Sequence, residues 1–111
     1  MDAALTSFKD YVVEDLLGHL EHVRARAMFG GYGLYLDRAF FAIITDDGEL
    51  RFKVDDSNRA QYEALGSTPF VYTGHKKKKP VTMNYYLVPE EVLEDHERLT
   101  AWAVQSAALS R

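Results

Sequence analysis

The sequence predicts one α+β domain with a two-layer sandwich architecture, in which an antiparallel sheet carries its helices on one face. Three observations lead to this prediction. Apolar residues recur at helical spacing near both ends of the chain, short runs rich in aromatic and branched residues lie between them, and the connections are too short for parallel crossovers. We expect the element order helix, three or four strands, helix, two strands, helix.

The first helix is predicted over residues 3 to about 20. Spacings of three and four residues place one apolar stripe along it, which consists of Leu5, Phe8, Val12 and Leu16. Gly18 is expected to mark the C-terminal cap. A helix with one apolar stripe requires a surface to pack against.

Two strands are predicted at residues 34–36 and 40–44, on either side of Asp37-Arg38. The absence of glycine leaves the type of that turn open. Asp46-Asp47-Gly48 is a hairpin signal that leads into a further strand over residues 49–54.

The strand over residues 49–54 alternates strictly. Leu50, Phe52 and Val54 are expected on one face, with Arg51 and Lys53 on the other. This pattern predicts a sheet with one buried and one solvated face.

A short helix is expected to begin in Asp56-Ser57-Asn58, which supplies N-cap residues, and to end at Gly66. It is too short to be stable alone and must dock on the sheet. Strands at residues 69–72 and 81–88 follow, joined by a loop.

The last helix is predicted to start at Pro89, which suits the first helical position. Glu94 lies four residues before Arg98, a spacing that favours an ion pair. Its inner stripe is predicted to consist of Val92, Leu99, Trp102, Ala103 and Ser106 or Ala107.

Composition narrows the class of protein. A chain of 111 residues suits one domain over residues 1–111, with no second C-terminal domain. The absence of cysteine excludes disulfides, thiolate metal sites and cysteine nucleophiles. No signal peptide or membrane span is recognised, so we expect a cytoplasmic protein without a membrane partner. The net charge of −4 argues against broad attraction to nucleic acid.

A family resemblance rests on Arg24-Ala25-Arg26-Ala27-Met28-Phe29-Gly30-Gly31-Tyr32-Gly33-Leu34-Tyr35. This segment resembles the signature that opens the N-terminal domain of the TfoX/Sxy family of bacterial competence regulators. Further matches follow in order at residues 41–44, 50–55, 66, 69–72, 81–89 and 99–103. The likeness covers roughly residues 8 to 108. It implies an α/β sandwich with an antiparallel sheet, related to the fold of type III secretion chaperones.

The resemblance also implies a function without catalysis. Longer members of the family govern competence genes together with a cyclic-AMP-responsive transcription factor, and they carry a second domain. We therefore expect a regulatory domain that binds a protein partner such as a transcription factor. Two departures from the family pattern, Arg38 and a lysine-rich loop, leave the choice of partner open. The signature residues interpreted as structural are Met28, Phe29, Gly30, Gly31, Gly33, Pro69, Phe70, Tyr85, Pro89 and Trp102.

Two surfaces with positive charge are candidate contact sites. Arg24 and Arg26 share one strand face, where they are candidates to bind an acidic partner or phosphate, or to form solvated ion pairs. The loop residues Lys76, Lys77, Lys78 and Lys79 suit nucleic-acid backbone or an acidic protein, and equally suit a loop that keeps a sheet edge soluble.

Aromatic residues form the third candidate. The aromatic content of the chain exceeds what a small core requires. Some rings of one group of tyrosines are therefore expected on the open face of the sheet, and this group consists of Tyr32, Tyr35, Tyr72, Tyr85 and Tyr86. There they would mark a homodimer or partner interface; the alternative is a purely structural role.

Catalytic and metal sites are not recognised. The glycines at 30, 31 and 33 lack the Lys-Ser/Thr of a phosphate loop and lead into a strand. The four histidines do not have the spacing of a metal site, and no serine-hydrolase motif is present, so we expect neither cofactor nor metal. Two alternatives to a regulatory domain stay open: a nucleic-acid-binding accessory domain that uses Lys76–Lys79 and Arg24/Arg26, and a small-ligand-binding protein or enzyme.

Overall fold

A computed structural model of the protein describes residues 3–28, 30–72 and 80–110. Its strands are β1 (Val23–Met28), β2 (Gly31–Leu36), β3 (Ala39–Ile44), β4 (Leu50–Lys53), β5 (Pro69–Tyr72) and β6 (Val81–Leu87). Its helices are α1 (Ala3–Tyr11), which continues into a π-helical turn (Val12–Leu16), α2 (Arg59–Glu63), α3 (Glu90–Leu93) and α4 (His96–Ala108).

The strands described form one antiparallel sheet in the order β1-β2-β3-β4-β6-β5. Helix α4 packs across β3 and β4, and the π-helical turn contacts β1 on the same side. The predicted two-layer α+β fold is therefore confirmed, with four strands in the first group. Within the described ranges, no helix has the length and apolar character needed to cross a membrane.

The first helix widens before it ends. Leu17 N–H donates to Val12 O at 2.9 Å, five residues back, so the consecutive side chains of Leu16 and Leu17 both enter the core. The helix ends at Leu16 and not near residue 20. Gly18 follows where a Cβ would lie 2.5 Å from Glu14 O, so close backbone approach requires glycine there.

A β-bulge in β3 changes which side chains face the helices. Leu34 pairs with Ala42 and Tyr35 with Phe40, so Phe41 is left without a partner on β2. Phe41 and Ala42 both turn toward the helices and are fully buried. Phe40 turns to the other face of the sheet.

Both predicted hairpins after β2 and β3 are present. Asp37 adopts φ +55° between Leu36 and Ala39, so aspartate takes the left-handed position that usually favours glycine. Gly48 adopts φ +84° in the second turn, and its N–H donates to Thr45 O at 2.9 Å.

The short helix α2 docks through Tyr62, which is fully buried against Trp102 with ring centroids 4.5 Å apart. Asn58 precedes the helix as predicted, but its side chain does not cap it. Instead Asn58 Oδ1 accepts from Asp55 N–H at 2.8 Å and Nδ2 donates to Lys53 O at 3.2 Å, which fixes the chain as it leaves β4.

The last predicted helix is two helices. Pro89 precedes α3, and the chain breaks before α4, whose N-cap Asp95 accepts from Arg98 N–H at 3.2 Å. The predicted pairing of Arg98 with Glu94 is wrong, because Nη1 of Arg98 contacts Glu91 Oε2 at 3.4 Å across the break. The predicted inner stripe is confirmed, since Val92, Leu99, Trp102, Ala103, Ser106 and Ala107 are all buried.

Candidate interaction surface on the open face of the sheet

The face of the sheet opposite the helices, here called the open face, follows from strand register. Arg26, Gly33, Ile43, Arg51 and Leu87 are successive cross-strand partners from β1 to β6 and so share one face. The same face carries Arg24, Met28, Tyr35, Phe40, Lys53, Phe70, Met83 and Tyr85.

Four of these side chains form a continuous row, here called the arginine–aromatic row. The guanidinium of Arg24 lies 4.9 Å from the centre of the Tyr35 ring. Tyr35 stacks on Phe40 with centroids 5.1 Å apart and an interplanar angle of 28°, and Phe40 contacts Tyr85 at 5.7 Å. Arg24, Tyr35 and Phe40 meet because each lies directly opposite the next on neighbouring strands.

Tyr85 is the most buried member of the row, with 8% of its surface exposed. Burial raises the pKa of its hydroxyl to about 12, and the nearby Tyr35 adds to this shift. The raised pKa keeps the Tyr85 hydroxyl neutral into the alkaline range, where an exposed tyrosine would ionise.

An apolar groove of about 390 Å³ lies beside the row. Its apolar lining includes Met28, Phe40, Ile43, Phe70, Met83 and Tyr85. Gly33 makes room for it, because a Cβ there would lie 2.5 Å from Met28 Cε and 2.9 Å from Phe40 Cε1. An apolar cleft beside aromatic and arginine side chains has the composition of a protein-binding surface.

Arg51 departs from its prediction. The alternating pattern predicted a solvated side chain, but only 9% of Arg51 is exposed. Its Nη2 contacts Glu49 Oε1 at 3.1 Å, its Nη1 donates to Thr68 O at 3.3 Å, and its guanidinium lies 5.3 Å from the Phe70 ring. The open face is thus partly covered around Arg51 by the side chains of Glu49 and Phe70.

The predicted tyrosine group is divided between the two faces. Tyr35 and Tyr85 lie on the open face, and Tyr72, 46% exposed, lies at the end of β5 beside the groove. Tyr86 faces α2 and is buried, so it does not belong to an exposed patch. Tyr32 faces α1, but it is only half-buried and also borders the groove.

Contacts of Tyr32 and Tyr86 explain that placement. Tyr32 Oη and Thr6 Oγ1 of α1 are 3.1 Å apart, and Lys9 Nζ lies 5.3 Å from the Tyr32 ring. Tyr86 packs on Tyr62 with centroids 6.0 Å apart. Strand alternation groups residues by face, but the helices decide which face is covered.

The other predicted site residues are placed as follows. Arg24 and Arg26 are exposed on β1, on the open face. The lysine loop Lys76–Lys79 and Phe29 lie outside the described residues. Gly31 lies where a Cβ would be 1.9 Å from Ile44 O, and Gly30 adopts φ +78°.

Sequence reasoning missed Phe40, Ile43 and Met83 as surface residues, and assigned Met28 and Phe70 to structure alone. One signal was available: residues 40–44 are apolar at every position, so both faces of β3 had to be apolar. A strand that is apolar on both sides implies a second contact surface.

Histidines meet at one place away from the open face. The rings of His19 and His96 are in edge-to-face contact, with centroids 5.6 Å apart. Among the residues described, no three His, Cys, Asp or Glu side chains come close enough to hold a metal ion.

Comparison with known proteins agrees with the fold and the signature. The model of the TfoX N-terminal domain matches residues 15–109. Protein Sxy of Escherichia coli is 33% identical over 89 residues, which are 80% of this chain and 41% of that protein. The DNA transformation protein TfoX1 of Aliivibrio fischeri is 38% identical over 65 residues, 59% of this chain and 30% of that protein. The matches span less than half the length of either relative, and because the family model covers almost all of this chain, the chain belongs to the TfoX N-terminal domain family.

Proposed function

We propose that this chain is a non-enzymatic regulatory domain that binds a protein partner through the open face of its sheet. One observation carries the proposal: the helices cover one face only, and the other face presents an arginine–aromatic row beside an apolar groove. Tyrosine, methionine and arginine are enriched in protein interfaces.

The relatives support the regulatory part of the proposal. One of them is named a DNA transformation protein, and the family resemblance implies control of competence genes. We propose that the partner is a component of the transcription apparatus and that the regulated genes include those for DNA uptake. Because the matches cover less than half of each relative, the proposal concerns the part played by this domain.

The geometry favours a protein over a single-stranded nucleic acid. Bases bind to proteins by stacking on free aromatic faces. Here Tyr35 lies between Arg24 and Phe40, and the Tyr85 ring is buried, so these ring faces are already occupied. The net charge of −4 also opposes binding to phosphate backbone.

A matched pair of variants tests the proposal. Met83, 37% exposed, lines the groove, and Val104, 43% exposed, lies on the outer surface of α4. A strain that lacks the gene is complemented with the natural sequence, Met83→Glu or Val104→Glu, and its transcripts are measured. We expect Met83→Glu to lose regulation and Val104→Glu to retain it, with both proteins folded by circular dichroism.

Two results would contradict the proposal. One is a deletion strain with an unchanged transcriptome. The other is full complementation by Met83→Glu. Duplex and single-stranded DNA binding at about 50 mM salt tests the nucleic-acid alternative, because phosphate contacts are strongest at low salt; binding unaffected by Met83→Glu would favour that alternative.

A further inference from the structure

β1 is an edge of the sheet, and its outer side has free backbone groups. Asp37 N–H donates to His22 O at 3.1 Å, so hydrogen-bonded pairs with β2 recur at every second residue from His22. The N–H and C=O groups of Val23, Ala25 and Ala27 therefore point away from β2. In the described part of the chain, Ala25 and Ala27 have no hydrogen-bond partner on this side.

The edge has little protection against pairing. β1 contains neither a proline nor a bulge against β2, two of the devices that commonly prevent strand addition. Its charged residues are Arg24 and Arg26, both exposed on the open face. Neither forms an ion pair with a carboxylate among the residues described, although the whole chain is acidic.

The same arginines argue against pairing of the β1 edge with β1 of a second copy of the chain. An antiparallel pairing of two β1 strands centred on Ala25 places Arg24 of each copy opposite Arg26 of the other. Centring the pair on Arg24 or Arg26 places that arginine opposite the same arginine of the second copy. Like charges directly opposite destabilise strand pairs, so every central register is penalised.

We infer that the free edge of β1 binds an extended acidic segment of the partner as an added strand. This inference rests on the proposed function and specifies the chemistry of the partner. Strand addition satisfies the outward groups of Ala25 and Ala27, and it brings side chains of the segment opposite Arg24, Arg26 and Met28. In the antiparallel orientation, which matches the rest of the sheet, the segment reads apolar-x-acidic-x-acidic.

The surroundings of Arg24, Arg26 and Met28 determine which residue the segment should carry opposite each of them. Tyr35 holds the guanidinium of Arg24 over the sheet at 4.9 Å from its ring centre, so that charge is preorganised for a carboxylate. Arg26 lies opposite Gly33 and is exposed. Met28 lines the apolar groove, so an apolar residue beside it extends the contact into the groove.

A designed peptide tests the inference. The probe is acetyl-Ser-Thr-Leu-Thr-Glu-Thr-Glu-Thr-Ser-amide, and its control has lysine in place of both glutamates. Binding to the full chain is followed by ¹⁵N NMR titration and amide hydrogen exchange. We expect the glutamate peptide to shift the amide signals of Ala25 and Ala27 and to slow their exchange, and to bind about tenfold more tightly than the lysine peptide.

Reversing the charge of the two arginines on the protein provides a second test of the acidic specificity. The double variant Arg24→Glu/Arg26→Glu should lose affinity for the glutamate peptide about tenfold and prefer the lysine peptide. Equal affinity of the two peptides for the natural sequence, or no change of preference in the double variant, would overturn the acidic specificity.

Proline substitution tests the backbone part. Ala27→Pro removes an N–H that points away from β2, and proline is tolerated on an edge strand in that orientation. Its matched control, Ala27→Ser, keeps the N–H. We expect Ala27→Pro to abolish peptide binding and Ala27→Ser to preserve it; Ala25→Pro provides the same test if Ala27→Pro does not fold. Binding unchanged in a folded proline variant would rule out strand addition.

The cellular assay separates this inference from the proposed function. If Met83→Glu abolishes regulation while Ala27→Pro and the double arginine variant regulate normally, the partner uses the groove without the edge, and only the inference fails. If deletion of the gene changes no transcript, the proposed function fails whatever the peptide does. A dimer in sedimentation that Ala27→Pro dissociates would identify a second copy as the occupant and overturn the acidic segment.

Discussion

Met28 on β1 occupies the space in which a side chain at Gly33 on β2 would lie. A Cβ at Gly33 would be 2.5 Å from Met28 Cε and 2.8 Å from Met28 Sδ. The end of a methionine side chain moves easily, so this contact yields at moderate cost. Gly31 differs, because its Cβ would be 1.9 Å from the backbone oxygen of Ile44.

The two glycines should therefore respond differently to alanine. We expect Gly33→Ala to lower the free energy of unfolding by about 1–3 kcal/mol, as overpacking does, and to narrow the groove. Gly31→Ala should cost more, since β2 and β3 must separate to admit the Cβ. Urea denaturation measures both. Equal losses would mean that the Ile44 backbone moves as easily as the Met28 side chain.

The hydroxyl of Tyr62 is buried without a hydrogen-bond partner in the described structure. The hydroxyl of its neighbour Ser106 donates to Lys53 O at 2.7 Å. Removing an unpaired buried polar atom costs little, so Tyr62→Phe should change stability by less than about 1 kcal/mol. Tyr62→Ala, which also removes the contact with Trp102, should cost about 3–5 kcal/mol. Denaturation midpoints of the two variants test this, and a large loss in Tyr62→Phe would reveal a hydrogen bond.

Buried tyrosines should make the protein sensitive to alkali. The pKa of Tyr85 rises to about 12 in the folded protein, and burial also raises the pKa of Tyr62. An unfolded tyrosine ionises near pH 10, so above that pH the unfolded state binds fewer protons than the folded state. The stabilisation is present below about pH 10 and is lost as pH rises toward 12.

Thermal denaturation between neutral pH and pH 11 or so measures this effect. Tyr85→Phe cannot ionise at this position, so its melting temperature should fall less steeply above pH 10 or so than that of the natural sequence. Parallel curves for the two proteins would show that Tyr85 ionises normally in the folded state.

The N-cap of α4 provides a further stability test. Asp95 Oδ1 accepts from Arg98 N–H, and this cap separates α4 from α3. Asp95→Ala should cost about 1 kcal/mol, whereas Asp95→Asn should be close to neutral because asparagine also caps helices. Chemical denaturation of both variants checks this. A similar loss in both would point to the charge of Asp95 instead of its hydrogen bond.

Periodicity predicted most of the elements correctly because it reports burial directly. Spacing assigned the stripe Val92, Leu99, Trp102 to the predicted last helix and the alternation Leu50, Phe52, Val54 to the predicted strand over residues 49–54, and the structure buries all six. The break before α4 was missed, since it depends on a backbone turn that the apolar spacing does not record.

The surface was predicted only in part. Arg24, Arg26 and Tyr35 were recognised as candidates, whereas Phe40 and Met83 were not. For Phe40 the reason is the bulge at Phe41–Ala42, which reverses the facing of Phe40 relative to a regular strand.

The sequence by itself determined the family, the order of the elements apart from the break before α4, and the residues that share a face in strands without a bulge. These features depend on local spacing and on a signature written in consecutive residues. Only the tertiary structure decided which face the helices cover, and therefore that Tyr32 and Tyr86 contact helices while Tyr35 and Phe40 line the open face. The two faces of an alternating strand are equivalent until a helix packs on one of them, and that choice is made by contacts between residues far apart in the chain.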